Sequence, residues 1–149
     1  MCIRDRPYTY AHKHPMQNYT HMNQALAHPL GANFKENIIM LNHRYKRWAT
    51  SLKYTYAIYG ADSLGTHYGQ NIFISDFEAS AEGGEFSYGN YNGQGIKTQL
   101  QTLYAEVNYD LKFAKAFLAC YIRNRTKQDT TQYVVLGIKT NFLNPFLDF

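Results

Sequence analysis

Charge is scarce in this sequence: Asp, Glu, Lys and Arg make up 17% of its 149 residues, below the usual quarter. Disordered chains show the opposite balance, high charge with few aromatics, whereas Phe, Trp and Tyr reach 16% here. Long apolar runs are also missing. No stretch approaches the roughly 18 uninterrupted apolar residues that a membrane-crossing helix needs, and mean hydropathy is −0.48. Cysteine occurs twice, at Cys2 and Cys120, which excludes a disulfide framework and a CxxC metal knuckle. Charge of one sign is not concentrated either. The net charge is +4, but basic residues cluster only at His43-Arg44-Tyr45-Lys46-Arg47. A short basic knot without a basic helix reads as a solvated turn, and no nucleic-acid partner is expected.

What the sequence has is tyrosine, 14 of them with 9 Phe, and a period of two. In 98–111, Leu103, Ala105, Val107, Tyr109 and Leu111 alternate with Thr102, Tyr104, Glu106, Asn108 and Asp110. In 113–123, Ala114, Ala116, Leu118, Cys120 and Ile122 oppose Lys115, Tyr121 and Arg123; in 131–142, Val134, Leu136, Ile138 and Phe142 oppose Tyr133, Gly137, Lys139 and Asn141. Trp48, Leu52, Tyr54, Tyr56 and Ile58 alternate with Ala49, Ser51, Lys53, Thr55 and Ala57. Alternation on this scale predicts half-buried strands. FKENIIMLNHR (34–44) reads as a strand with a less decided face, and PYTYAH (7–12) as the tail of another. The fold class expected is all-β, antiparallel and up-and-down, with about six strands.

The connections narrow this further. Long gaps at 13–33 and 60–96 and a medium gap at 125–130 alternate with short ones at 45–47 and 110–112. Transmembrane β-barrels have short periplasmic turns and long external loops, and every gap takes the side its length predicts. The strands have the length that a tilted crossing needs, about 9–11 residues. The expectation is therefore a fragment of an outer-membrane barrel, since six strands cannot close one and the smallest have about eight. The opening MCIRDR carries no apolar signal segment and resembles translated sequencing-adapter read-through, so residues 1–6 are read as non-native and 7–149 as the C-terminal part of the barrel. A porin-like solute channel and a secreted soluble β-barrel or sandwich binding module remain open on the same pattern.

No catalytic constellation is visible. GxSxG and HExxH are absent, and Cys120 falls on an apolar strand face, a poor setting for a thiolate. Glu106 and Asp110 share a face but stand about 13 Å apart at 3.3 Å per residue, too far for paired carboxylates. His12 and His14 have a spacing that could ligate a metal from one strand face, with no acidic or Cys partner beside them. The Gly-rich AEGGEFSYGNYNGQG (81–95) lacks a phosphate-binding pattern and reads as an external loop. The protein is expected to be no enzyme and to hold no cofactor or metal. In a barrel, Lys53, Tyr104, Glu106, Asn108, Asp110, Lys115, Arg123 and Lys139 would face the lumen, with the lysines and arginine as counter-charges to the acids. Leu103, Val107, Leu118, Ile122, Val134, Leu136 and Ile138 would face lipid.

NYTHMNQALAHPLGANFKE (18–36), RYKRW (44–48), YGAD (59–62) and the closing GIKTNFLNPFLDF together resemble outer-membrane proteins of gliding and gut-dwelling bacteria. The resemblance is to the gliding-motility RemB-type group, related to the Wzi-like capsule-assembly barrels, and covers about 7–149. It implies the cell outer membrane as location, outer-membrane lipid and surface polysaccharide as partners, and a role in capsule or exopolysaccharide attachment or in motility. No active site carries over. The terminal Phe149 resembles the C-terminal signal read by the barrel-assembly machinery, in an irregular form, because Leu143, Leu147 and Phe149 break the even-numbered face and Pro145 cannot donate to a ladder.

Overall fold

A computed structural model describes residues 1–12, 14–22, 24–63, 66–78 and 89–140. The described chain is all-β apart from two 3-10 turns. Its strands are β1 (Cys2–Asp5), β2 (Thr20–His21), β3 (Gln24–Ala25), β4 (Phe34–Tyr45), β5 (Trp48–Ala61), β6 (Ile96–Asp110), β7 (Ala114–Arg125) and β8 (Thr131–Thr140). Six form one antiparallel sheet in the order β1-β4-β5-β6-β7-β8, and β2 pairs with β3 alone. The large sheet is open, with β1 and β8 as its edges. From β4 onward each strand pairs with the next in sequence, the up-and-down order expected.

The five long strands run 12, 14, 15, 12 and 10 residues. They form where alternation and β-branched or aromatic content coincide, which suits a pleated surface with two unlike faces. Their ends follow from local backbone chemistry. Lys46 takes a φ of 53° in the two-residue turn between β4 and β5, where a tight hairpin demands positive φ. Residues 46–47 and 111–113 join strands at one end of the sheet, and 6–33, 62–95 and 126–130 at the other. Short turns thus share one end and longer connections the other.

One expectation fails at the start of the chain. The edge strand is Cys2–Asp5, paired with β4 through Asp5 opposite Phe34, and not the stretch 7–12, which forms turns. The alternating Tyr8 and Tyr10 that gave PYTYAH its strand character are spent on local and loop contacts: the Tyr10 hydroxyl donates to Asp5 at 2.6 Å and the Tyr8 hydroxyl to the His67 carbonyl at 2.6 Å. Leu111, expected to continue the apolar face of β6, lies in the 111–113 turn. Residues 141–149, and with them Phe142 and Phe149, lie outside the described residues, as does 81–88 of the Gly-rich stretch.

Residues opposite one another in an antiparallel pair share a face, so the register divides the sheet cleanly. One face carries Glu36, Arg44, Lys53, Tyr104, Glu106, Asn108, Asp110, Lys115, Arg123 and Lys139. The other carries Ile39, Leu41, Leu52, Tyr54, Leu103, Val107, Leu118, Ile122, Val134, Leu136 and Ile138. All four acids of the large sheet's strands, Asp5, Glu36, Glu106 and Asp110, stand on the first face.

The burial of these two faces is the reverse of a soluble β-domain's. The core cluster of Phe34, Ala57, Tyr59 and Leu100, with Ile3, Leu30 and Ala61 against it, sits on the polar face at its long-loop end. The apolar face has no buried side chain: Leu136 is 79% exposed, Ile138 69%, Val134 67% and Leu41 60% on its outer strands, while Leu52, Leu103, Val107 and Ile122 of the central strands are half-buried.

Candidate functional site

The polar face is the site the sequence pointed to, and register brings its pieces into successive rows. Lys53, Tyr104, Tyr121 and Tyr133 stand opposite one another across β5 to β8, and the Tyr121 and Tyr133 rings stack with centroids 5.0 Å apart. Toward the short turns, Glu106 accepts from Lys139 Nζ at 2.8 Å and from the Tyr104 hydroxyl. Asp110 accepts from Arg44 at 2.7 Å and has Lys115 Nζ at 3.7 Å. Lys139 also lies 4.2 Å from the centroid of the Phe117 ring. Half-buried carboxylates need this kind of compensation, since an unpaired one would carry its desolvation cost alone.

All eight residues expected to line a lumen, Lys53, Tyr104, Glu106, Asn108, Asp110, Lys115, Arg123 and Lys139, stand on this one face. Lys115 and Lys139 do meet the acids assigned to them. Lys53 and Arg123 have no acidic partner among the described residues. Arg44, read from sequence as part of a solvated basic knot, is exposed and is also the closest partner of Asp110. Tyr121 and Tyr133, which the alternation sets opposite the apolar residues, join this row by stacking and share the parity of Tyr104.

At the long-loop end the connections close over both sides of the sheet. On the polar side, Leu30 packs on the core cluster and the His28 ring stacks on Phe34, centroids 4.4 Å apart. His28 Nε2 comes within 3.0 Å of the buried Glu36 Oε2, near enough for an ion pair when His28 is protonated but not aligned as a hydrogen bond. The connections themselves are tied together by two asparagines. Asn33, fully buried at a φ of 64°, donates to the carbonyls of Gly60 at 3.2 Å and Gln94 at 2.7 Å and accepts from the Gly93 amide at 2.7 Å. Asn92 donates to the carbonyls of Asp5 and Phe34. Gly60 is required beneath this clasp, because a Cβ there would overlap the Gln94 carbonyl. A second knot forms around Asn18 and His67. Asn18 donates to Ile72 and Ile74 carbonyls at 2.7 and 3.1 Å, and His67 Nε2 lies 2.8 Å from the Ser75 carbonyl.

Two loop tyrosines carry a pH consequence. Burial, with the neighbouring Tyr68 and the acids Asp62 and Asp76, pushes the Tyr8 hydroxyl up to about 12. The hydrogen bond to Asp5, followed by burial, pushes Tyr10 up to about 12 as well. The folded loops favour the protonated phenols, so this contribution is whole below pH 10, the ordinary value, and is lost as pH rises from about 10 through about 12. Alkaline titration of phenolate absorbance should show two late ionisations, and Tyr8→Phe and Tyr10→Phe should each delete one.

His12 and His14 do not lie on a strand, so the one-face ligand spacing does not arise. Among the described residues no group of three His, Cys, Asp or Glu converges as a metal site. Cys120 stands on the apolar face of β7 between Ala105 and Val134, unbonded. The arrangement can offer hydrogen bonds, stacked phenols and fixed charges to a polar chain or solute. Comparison with protein-family models, with curated proteins and with solved structures gives no match.

Proposed function

We propose that this sheet is part of the wall of an outer-membrane β-barrel, with the polar face toward the lumen and the apolar face toward lipid. The observation that carries the reading is the inverted burial: all four strand acids are on the face that holds the buried core cluster, while the apolar face beyond the long connections holds no buried side chain. A soluble sandwich or lipocalin-like module buries its apolar face, so the same sheet in water would expose far more than the few hundred Å² that monomers tolerate. Further strands at the open edges β1 and β8 belong to this reading, because unpaired backbone groups in hydrocarbon are too costly to persist.

Within that setting the protein is a non-enzymatic factor in cell-surface assembly, as in capsule or exopolysaccharide attachment, or in gliding motility. This role rests on the sequence resemblance to the RemB-type and Wzi-like group. Outer-membrane lipid, the barrel-assembly machinery and surface polysaccharide are the partners it implies. The porin-like alternative draws support from the charged, tyrosine-lined face, and is weakened by Leu30, His28 and Phe34 filling its long-loop end.

Fractionation of the intact gene product between buffer and detergent tests the class. Recovery with the membranes, released only by detergent, is expected; a chain that folds and stays monodisperse in buffer would overturn it. Steady conductance in a planar bilayer would favour the channel over the assembly factor.

A further inference from the structure

The apolar face is not uniform along the strands, and its charges are confined to one end. The strand cations on this face are Arg4, Lys35 and Lys97, all next to the long connections, with only His43 toward the short turns. Lys35 stands opposite Arg4 and Ile58, and Lys97 opposite Gly60, so the two lysines flank the end of β5 from either side. Together with Ile58 and residues Tyr91, Asn92 and Gly93 they line a cleft of about 270 Å³. The loop side of the cleft is held by the Asn33 and Asn92 hydrogen bonds, so it is built rather than draped. Lys35 and Lys97 are exposed and have no acidic partner among the described residues.

One row below, Asn37, Tyr56, Gln101 and Asn124 stand opposite one another across β4 to β7. Below them begin Ile39, Tyr54, Leu103 and Ile122, the first row of the apolar band. Each row is about 7 Å further along the strand. The order is thus cations, then amides and a phenol, then hydrocarbon. That order is the profile of an anionic amphiphile: phosphate, ester linkage, acyl chain.

We propose that the Lys35–Lys97 cleft binds the phosphate headgroup of an anionic lipid, whose chains lie along β4 to β7. The inference rests on the membrane reading above. A lipid, rather than free phosphate, is the occupant because the amide row and apolar band continue directly from the cleft, and an inorganic anion would use neither. The opposite rim, with Tyr45, Trp48 and Tyr109 in one row, has no strand lysine or arginine on this face and one turn lysine, Lys46, engaged over the Tyr45 ring at 5.1 Å, so the binding is one-sided. It anchors the protein in the leaflet on its long-loop side.

The test uses the full chain in zwitterionic detergent, titrated with bis-phosphorylated lipid A, phosphatidylcholine or inorganic phosphate, and read by native mass spectrometry. A one-to-one lipid A adduct is expected, with phosphatidylcholine retained far more weakly. The K35Q/K97Q double variant should lose roughly 30-fold in lipid A affinity, the effect of two lysines at a membrane surface. Lys53→Gln, on the other face, should keep it. Equal retention by the wild type and the double variant would overturn the proposal, as would competition by inorganic phosphate at concentrations equal to lipid A. A chain that needs detergent yet shows no headgroup preference defeats this inference alone. A chain that needs no detergent defeats the membrane reading and this inference with it.

Discussion

Val107→Arg and Leu136→Arg should each destabilise the protein in lipid vesicles by roughly 1–3 kcal/mol, between the midplane and interfacial costs of a basic residue on the lipid side of the proposed barrel. Val107 stands between Thr50 and Leu118, and Leu136 beside Leu118, on the apolar face one row in from the rim of Tyr45, Trp48 and Tyr109. Asn108→Arg, one residue along the same strand, points to the polar face, where the guanidinium can reach water or Asp110, and should be mild. The contrast matters because exposure alone predicts the reverse. Leu136 is 79% exposed, and in water an arginine at such a position is usually worth less than 0.5 kcal/mol either way. Denaturant titration of the three variants in vesicles reads the difference, and equal tolerance at 107, 108 and 136 would sink the assignment of faces.

Asn33→Ala is expected to have the second large effect, confined to the long-loop end. It deletes three hydrogen bonds from a fully buried side chain, and each buried group left unsatisfied costs about 1–3 kcal/mol. It also puts an alanine at positive φ, which asparagine and glycine tolerate better. Asn33→Gly keeps the backbone conformation and loses only the side-chain bonds, so the gap between the two variants measures the strain. Limited proteolysis should cut within 6–33 and 62–95 much faster in both variants, with the sheet's circular dichroism unchanged. Unaltered proteolysis would mean that the Asn33 clasp does not hold the connections together.

The long strands were legible because each satisfies two independent rules, alternation and length. Phe34–Tyr45, Trp48–Ala61, Ile96–Asp110, Ala114–Arg125 and Thr131–Thr140 fall within three residues of the ranges that alternation marked. The polar-face set was legible for the same reason: once parity is fixed, Glu106, Asp110, Lys115 and Lys139 must share a face, and long side chains of opposite sign then find each other. What was not legible is what depends on contacts far apart in sequence. Asn33 meets Gln94, and Asn92 meets Phe34 and Asp5, across separations that no local pattern records. The first strand was missed because residues 1–6 were read as non-native and four residues are too few to show a period, while Tyr8 and Tyr10 imitate one in a turn. The pairing of the exposed Arg44 with Asp110 was not legible because its basic neighbours hid its parity, which places it on the polar face.

One side chain tests the proposed placement of the sheet in a bilayer. The sequence holds a single tryptophan, Trp48, on the apolar face at the short-turn end, with its ring centroid 4.8 Å from that of Tyr109. Interfacial aromatic belts sit at the headgroup boundary. Fluorescence of the protein in vesicles should therefore be quenched strongly by lipids brominated near the headgroup end of the acyl chain, weakly by lipids brominated near the chain terminus, and little by aqueous iodide. Strong quenching by iodide with none by either brominated lipid would contradict the placement of this face against lipid.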